Sequence, residues 1–262
     1  MDFKTNIFEL QHRKNFTINF LELKLPANKD LFFRAKQDEI FQQYESARIF
    51  MHEAQTDDWS HWFEKPENSK EQKIYELLFT ERMYECALMY YNSVVDLSWV
   101  MCYVSVEYML HKDDKVFMMD GMVDIETACN ILRKAEDSVK NPTDKEAPFL
   151  YLKNRCPEFE EAIDLVINFW KVFKETHVRK LYNYIKHKGK PIYSELNEFR
   201  QPKIIKLKGQ GEYPTDIRDI CMQVSLNKCI DELYHFDDEI LFPYIKKLFE
   251  LLEGAIKPSP II

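Results

Sequence analysis

A chain of 262 residues with 45% apolar and 14% aromatic residues has ample material for a buried core. Only five glycines and a net charge of −8 exclude a turn-rich β protein and a general polyanion binder. No stretch reaches membrane-spanning length without charge, and the N-terminal Met1-Asp2-Phe3-Lys4-Thr5-Asn6 has no apolar signal region, so a protein without a membrane segment, residing in the cytoplasm, is expected.

Six cysteines, Cys86, Cys102, Cys129, Cys156, Cys221 and Cys229, include no Cys-x-x-Cys pair. Neither a zinc site nor a disulfide framework is indicated, which agrees with a reducing compartment.

Residues 14–25 alternate as Phe16, Ile18, Phe20 and then Leu21, Leu23, Leu25, a strand pattern with a bulge inside an extended segment, 1–30. From 31 to 256 the chain is expected to form a single helical-bundle domain. Pro26, Asn28 and Asp30 turn into a helix near 31–55 whose Phe33, Ile40, Tyr44, Ala47 and Met51 share one face. Trp59, Trp62 and Phe63 anchor a polar loop. Residues 69–111 carry the longest helical pattern, with Ser69 as N-cap, and from Cys86 to Leu110 it is apolar on most sides, as a central bundle helix would be.

On that helix Glu81, Glu85, Asn92 and Asp96 fall within about 60° of one another. Inward carboxylates of this kind hold divalent metals in helical bundles, and Glu232 and His235 add a Glu-x-x-His spacing that places both on one face. The alternative functional reading is therefore a metal-dependent, all-α nucleotide or phosphate hydrolase built on Glu81, Glu85, Asp96, Glu232 and His235. The plain reading of Glu81 and Glu85 is a solvated stripe.

A shorter helix follows Asp124, running from Ile125 to Val139, before Asn141 to Pro148 interrupts the pattern. Cys156 to Pro191 then reads as one long helix: Pro157 and Glu158, Glu160, Glu161 mark its start, and Lys186, His187, Lys188, Gly189 and Pro191 its end. Phe159, Ile163, Val166, Trp170, Phe173, Leu181 and Tyr184 stack on one face, and His177 within that stripe is expected in the core. A second seam changes from Leu165, Phe169 and Val172 to Thr176, Asn183 and His187. Beyond it, 194–199 suggests a helical turn and 202–209 an edge strand able to pair with 14–25. Pro214-Thr215-Asp216 then starts a helix that Pro243 kinks or ends.

The run Tyr182-Asn183-Tyr184-Ile185-Lys186-His187-Lys188-Gly189 resembles the end of the signature helix of the HEPN superfamily, whose pattern is Arg, a polar residue that is often Asn, a few residues, then His. Tyr182 stands where that pattern has Arg, and the nearest arginine is Arg179. The resemblance implies a helical protein that cleaves or binds RNA without a metal or other cofactor, as toxin and abortive-infection members do. His187 would move the proton, Asn183 would orient the imidazole and Arg179 would steady the phosphate, with Lys180, Lys186 and Lys188 around them. Family members commonly dimerise, and the seam of Leu165, Phe169 and Val172 would suit a homodimer.

Charge distribution agrees with a phosphate-bearing partner. Residues 171–208 hold eleven Lys/Arg against three acids, a net of +8 that leaves −16 on the remainder. A solvated face of lysines, a histidine that serves only the helix dipole, and a catalytically inactive dimeric binding module stand beside that reading. No glycine-rich phosphate loop, Gly-x-Ser-x-Gly elbow, His-Glu-x-x-His motif or internal repeat is present.

Overall fold

The computed structural model describes residues 28–56, 64, 66–107, 110–112, 115–118, 120–140, 148–199, 203–207, 211–215 and 221–256. The strand expected at 14–25 and the aromatics Trp59, Trp62 and Phe63 lie outside these residues. The described chain is mainly α-helical with a minor β element.

Helix α1 (Asn28–Ala54) lies along α2 (Ser69–Glu107), the 39-residue helix at the centre of the bundle. The apolar face expected for α1 is the one that packs: Phe33, Ile40, Tyr44, Ala47 and Met51 are all buried. Removing each large side chain of this kind from water contributes about 1.5–3 kcal/mol. The last turns of α2, Met101 to Glu107, are buried without interruption. No helix among the described residues is long and apolar enough to cross a membrane.

After α2 come the antiparallel strands β1 (Leu110–Lys112), β2 (Lys115–Met118) and β3 (Gly121–Asp124). Asp124 then caps α3 (Ile125–Lys140) by accepting the Thr127 backbone N–H at 2.7 Å. Helix α4 (Pro148–Arg155) and a 3₁₀ turn at Pro157–Phe159 lead to α5 (Glu160–Phe173) and α6 (His177–His187).

The long helix expected from 156 to 191 is thus broken at 174–176. Thr176 is extended (φ −65°, ψ 150°), and its hydroxyl accepts the Arg179 N–H at 3.2 Å while donating to the Phe173 carbonyl at 2.7 Å. One threonine closes the first helix and opens the second. The re-aiming carries His177 out of the stripe: it is exposed and pairs with Glu232. Of the seam expected at Leu165, Phe169 and Val172, the first two residues face inward. Phe169 stacks on Tyr244 at 3.6 Å, Leu165 packs against the core, and Val172 alone of the three is well exposed, at 57%.

Beyond α6, Gly189 has φ +116°, as a glycine stop requires, and its N–H bonds the Tyr184 carbonyl at 3.1 Å. The short parallel pair β4 (Ile192–Tyr193) and β7 (Gln223–Val224) flanks a 3₁₀ turn at Ser194–Phe199 and the hairpin β5 (Lys203–Leu207) and β6 (Gly211–Thr215). Strand β5 therefore pairs with its chain neighbour β6, and Pro214 lies in β6 rather than at a helix start. The helix begins at α7 (Leu226–His235), with Ser225 as its N-cap. A π-helical turn, Phe236–Leu241, joins α7 to α8 (Phe242–Ala255). In that turn the Phe242 N–H reaches back five residues to the Asp237 carbonyl, and the wide spacing comes just before Pro243, whose ring would clash with a carbonyl in a regular helix.

Glu195 gives α7 a second cap. Its carboxylate accepts from the Leu226 N–H (2.8 Å), the Asn227 N–H (3.1 Å) and the Ser225 hydroxyl (2.7 Å). Burial alone would raise its pKa, but these three donors hold it down at about 2. A carboxyl that titrates lower folded than unfolded contributes stability above the unfolded pKa, near ~4.3, and loses it as pH falls toward the folded value. Because the group is partly exposed, Glu195→Gln is expected to cost about 1–2 kcal/mol at pH 7 and almost nothing near pH 2, measured by urea unfolding at both pH values.

Candidate functional site

Helix α6 packs against α2 and α7, and its sequence divides by depth. Val178, Arg179 and Leu181 are buried, Tyr182, Tyr184 and Ile185 are half-buried, and Lys180, Asn183, Lys186, His187 and Lys188 are exposed. The expected polar patch, except for Arg179, therefore lies on the exposed side of the helix, opposite Val178 and Leu181.

Arg179 reaches inward, 9% exposed. Its guanidinium donates to the Asn92 side-chain oxygen at 3.0 Å and lies 4.0 Å from Asp96. Asn92 is fully buried, and its amide donates in turn to the Leu88 carbonyl at 2.8 Å, so both of its ends are used. Three rings close around the guanidinium, Trp170 at 5.1 Å, Tyr182 at 5.2 Å and Phe173 at 5.4 Å. A planar, weakly hydrated cation suits such a box better than an ammonium would. Asn92 and Asp96, half of the polar face of α2 noticed in the sequence, are thus the partners of an arginine 87 residues beyond Asn92.

Around this box other charges gather. Lys186 sits over the outer part of Tyr182 at 5.8 Å, and Lys140 lies 5.9 Å from the Trp170 ring. Burial raises the pKa of Asp96, helped by Glu136 and opposed by Arg179, Lys140 and Lys186. Lys140, Lys186, Asp96 and Glu136 thus act on one another beside the rings of Trp170 and Tyr182.

Farther along α6, Lys186, His187 and Lys188 make no ion pair with any described residue, whereas Lys180 is paired with Glu175 at 3.1 Å. Asn183 precedes His187 by one turn on the same exposed side. Arg179, two turns before His187, stands about 12 Å away along the axis. Asn183, Lys186, His187 and Lys188 are thus all exposed along the last turn of α6 and its C-cap, while Arg179 is buried two turns before His187.

The acidic residues of the alternative reading divide among separate partners. Glu81, expected as a solvated residue, is 1% exposed and pairs with Lys190, which also lies 3.9 Å from Glu85. Glu85 accepts from the Tyr193 hydroxyl at 3.2 Å, and burial raises its pKa against the pull of Lys190. Glu232 pairs with His177, His235 with Glu239 at 3.1 Å, and Asp96 faces Arg179. Among the described residues no three His, Cys, Asp or Glu side chains gather where a metal ion would sit. The six cysteines are free thiols.

Sequence reasoning passed over one charged constellation. Asp237, in the π turn, receives the Arg48 guanidinium and the hydroxyls of Tyr44 and Tyr91, the last at 2.8 Å, and both charged groups are at most 2% exposed. A signal existed: Arg48 is four residues from Tyr44 and three from Met51 on the buried face of α1. No protein-family model, curated protein or solved structure matches this chain.

Proposed function

We propose that the exposed side of α6 binds a phosphate-bearing ligand of the RNA or nucleotide class through Lys186, His187 and Lys188. The observation that supports this is the run of three consecutive cationic or titratable side chains, exposed and without an ion-pair partner among the described residues, on a chain that is otherwise acidic. Their charge more than offsets the roughly half negative charge of the helix end they occupy. Lysines hold phosphate as point charges, and imidazole changes protonation near neutral pH, so His187 with Asn183 supplies the proton transfer of metal-independent cleavage. The resemblance to the HEPN superfamily points to the same chemistry. A second reading, a binding module that does not cleave, is favoured by Arg179, because its guanidinium is turned inward and engaged with Asn92.

Anisotropy of a labelled single-stranded RNA in EDTA, with gel analysis of the same mixtures, tests both. Binding that weakens steeply with salt, and by about tenfold or more in Lys186→Ala/Lys188→Ala, is expected. Cleavage lost in His187→Ala assigns the proton transfer to that residue; RNA bound but left whole by both proteins assigns the binding module. Failure to bind RNA or nucleotide even at low salt overturns the proposal.

A further inference from the structure

The cationic run at the end of α6 is followed at once by a further lysine that points elsewhere. Lys188 caps the helix, Gly189 turns the chain, and Lys190 sends its ammonium back to α2, where it pairs with Glu81 and lies 3.9 Å from Glu85. Glu81 and Glu85 are one helical turn apart, so a single ammonium can sit between them. Depth makes the contact costly to break. Glu81 is 1% exposed, and a carboxylate there that lost its counter-ion would keep a charge the interior cannot solvate.

The residues after Lys190 continue the attachment. Pro191 fixes its own φ, the Ile192 N–H donates to the Met222 carbonyl at 2.8 Å, and the fully buried Tyr193 donates its hydroxyl to Glu85 at 3.2 Å. The Met222 N–H donates in turn to the Tyr184 hydroxyl on α6 at 3.0 Å. On the helix side, the Tyr184 carbonyl accepts from both the Lys188 N–H at 2.8 Å and the Gly189 N–H at 3.1 Å, which closes the last turn. That closure lies two residues before a contact with the central helix of the bundle. Two residues span no more than about 7 Å, so Lys188 has little room to move while Lys190 is seated.

We propose that Lys190 is a positioning residue for the phosphate surface: seated between Glu81 and Glu85, it ties the stop of α6 to α2 and holds Lys186, His187 and Lys188 in one array, without itself meeting the ligand. The role rests on the reading of that surface as a phosphate site and supplies its pre-organisation, because cations on a frayed helix end would have to be ordered at the moment of binding.

Amide hydrogen exchange resolved by residue, beside anisotropy of a labelled single-stranded RNA over a range of salt, tests it on the full chain. In Lys190→Met, exchange at the Lys188 and Gly189 amides is expected to quicken about tenfold or more relative to amides of α1, and RNA affinity to fall about fivefold with its salt slope unchanged. Lys190→Met/Glu81→Gln leaves no buried charge unpaired, which keeps the test decisive should the single variant fail to fold; the tether is still missing, so the same two changes are expected. Lys190→Arg keeps the charge and the reach, and is expected to stay within about twofold of wild type in both readouts. Unchanged exchange at those two amides in both Lys190→Met variants overturns the proposal. So does a salt slope that falls by about one in Lys190→Met, which would put Lys190 on a phosphate. Quickened exchange in a chain whose wild type binds no RNA supports the tether and overturns the phosphate reading instead.

Discussion

Replacing Asp237 by alanine is expected to lower the unfolding free energy by about 3–5 kcal/mol. The cost comes from what is left behind. Arg48, 1% exposed, would keep its charge in the core without its carboxylate, and the Tyr91 hydroxyl would lose its acceptor. The pair is not thereby the best solution for stability, because taking two ions out of water is itself expensive. Replacing both together, as Arg48→Met with Asp237→Leu, removes the buried charge and is expected to recover only part of the loss, because the Tyr44 and Tyr91 hydroxyls still lack the Asp237 carboxylate. Urea unfolding followed by circular dichroism on the three variants measures this; a single-variant loss below about 1 kcal/mol would contradict the burial argument. The network joins α1, α2 and the π turn.

Arg179→Ala is expected to cost about 2–4 kcal/mol, while Lys186→Ala changes stability by no more than about 0.5 kcal/mol. Arg179 holds Asn92, which is fully buried, and fills a box of three rings; its loss leaves a buried oxygen unpaired and a cavity beside Phe173. Arg179→Lys keeps the charge but cannot reproduce a planar group between rings, so it is expected to lie between alanine and wild type. Lys186, at the surface over Tyr182, touches little that depends on it. Ligand binding should follow the opposite order among variants that stay folded: weakened in Lys186→Ala, and close to wild type in Arg179→Lys. A combined thermal-melt and RNA-anisotropy series checks both rankings, and Arg179→Lys binding RNA as poorly as Lys186→Ala would place the guanidinium at the ligand instead.

Local periodicity carried most of the fold. Phe33, Ile40, Tyr44, Ala47 and Met51 repeat at helical steps and are buried together, and Asp124, Gly189 and the 194–199 turn behave as their residue types suggest. The break in the helix after Phe173 was not visible, because it is made by neither glycine nor proline but by a threonine hydroxyl that bonds in two directions. Once Thr176 changes the direction of the chain, the angle assigned to His177 from an uninterrupted helix no longer applies. Partners distant in sequence were equally hidden. Asn92 and Asp96 stood out as polar positions on an apolar helix, yet nothing local to them names Arg179; Glu81 likewise takes Lys190 from beyond the end of α6. Of the site itself, the surface grouping of Asn183, Lys186, His187 and Lys188 followed from helical spacing, whereas the depth of Arg179 did not.

The wide turn at Phe236–Leu241 also sets a phase relation between two stretches of chain that periodicity treats as one rod. Winding the same residues as a regular α-helix would restore ordinary four-residue spacing, but everything downstream would swing by about 100° about the axis. Tyr244, Ile245 and Leu248 would then leave the interior, and lysines of α8 would be driven toward it. The extra residue accordingly acts as an indexing pin: it lets α7 and α8 each present its own apolar side to the same core while Asp237 is held at the junction between them.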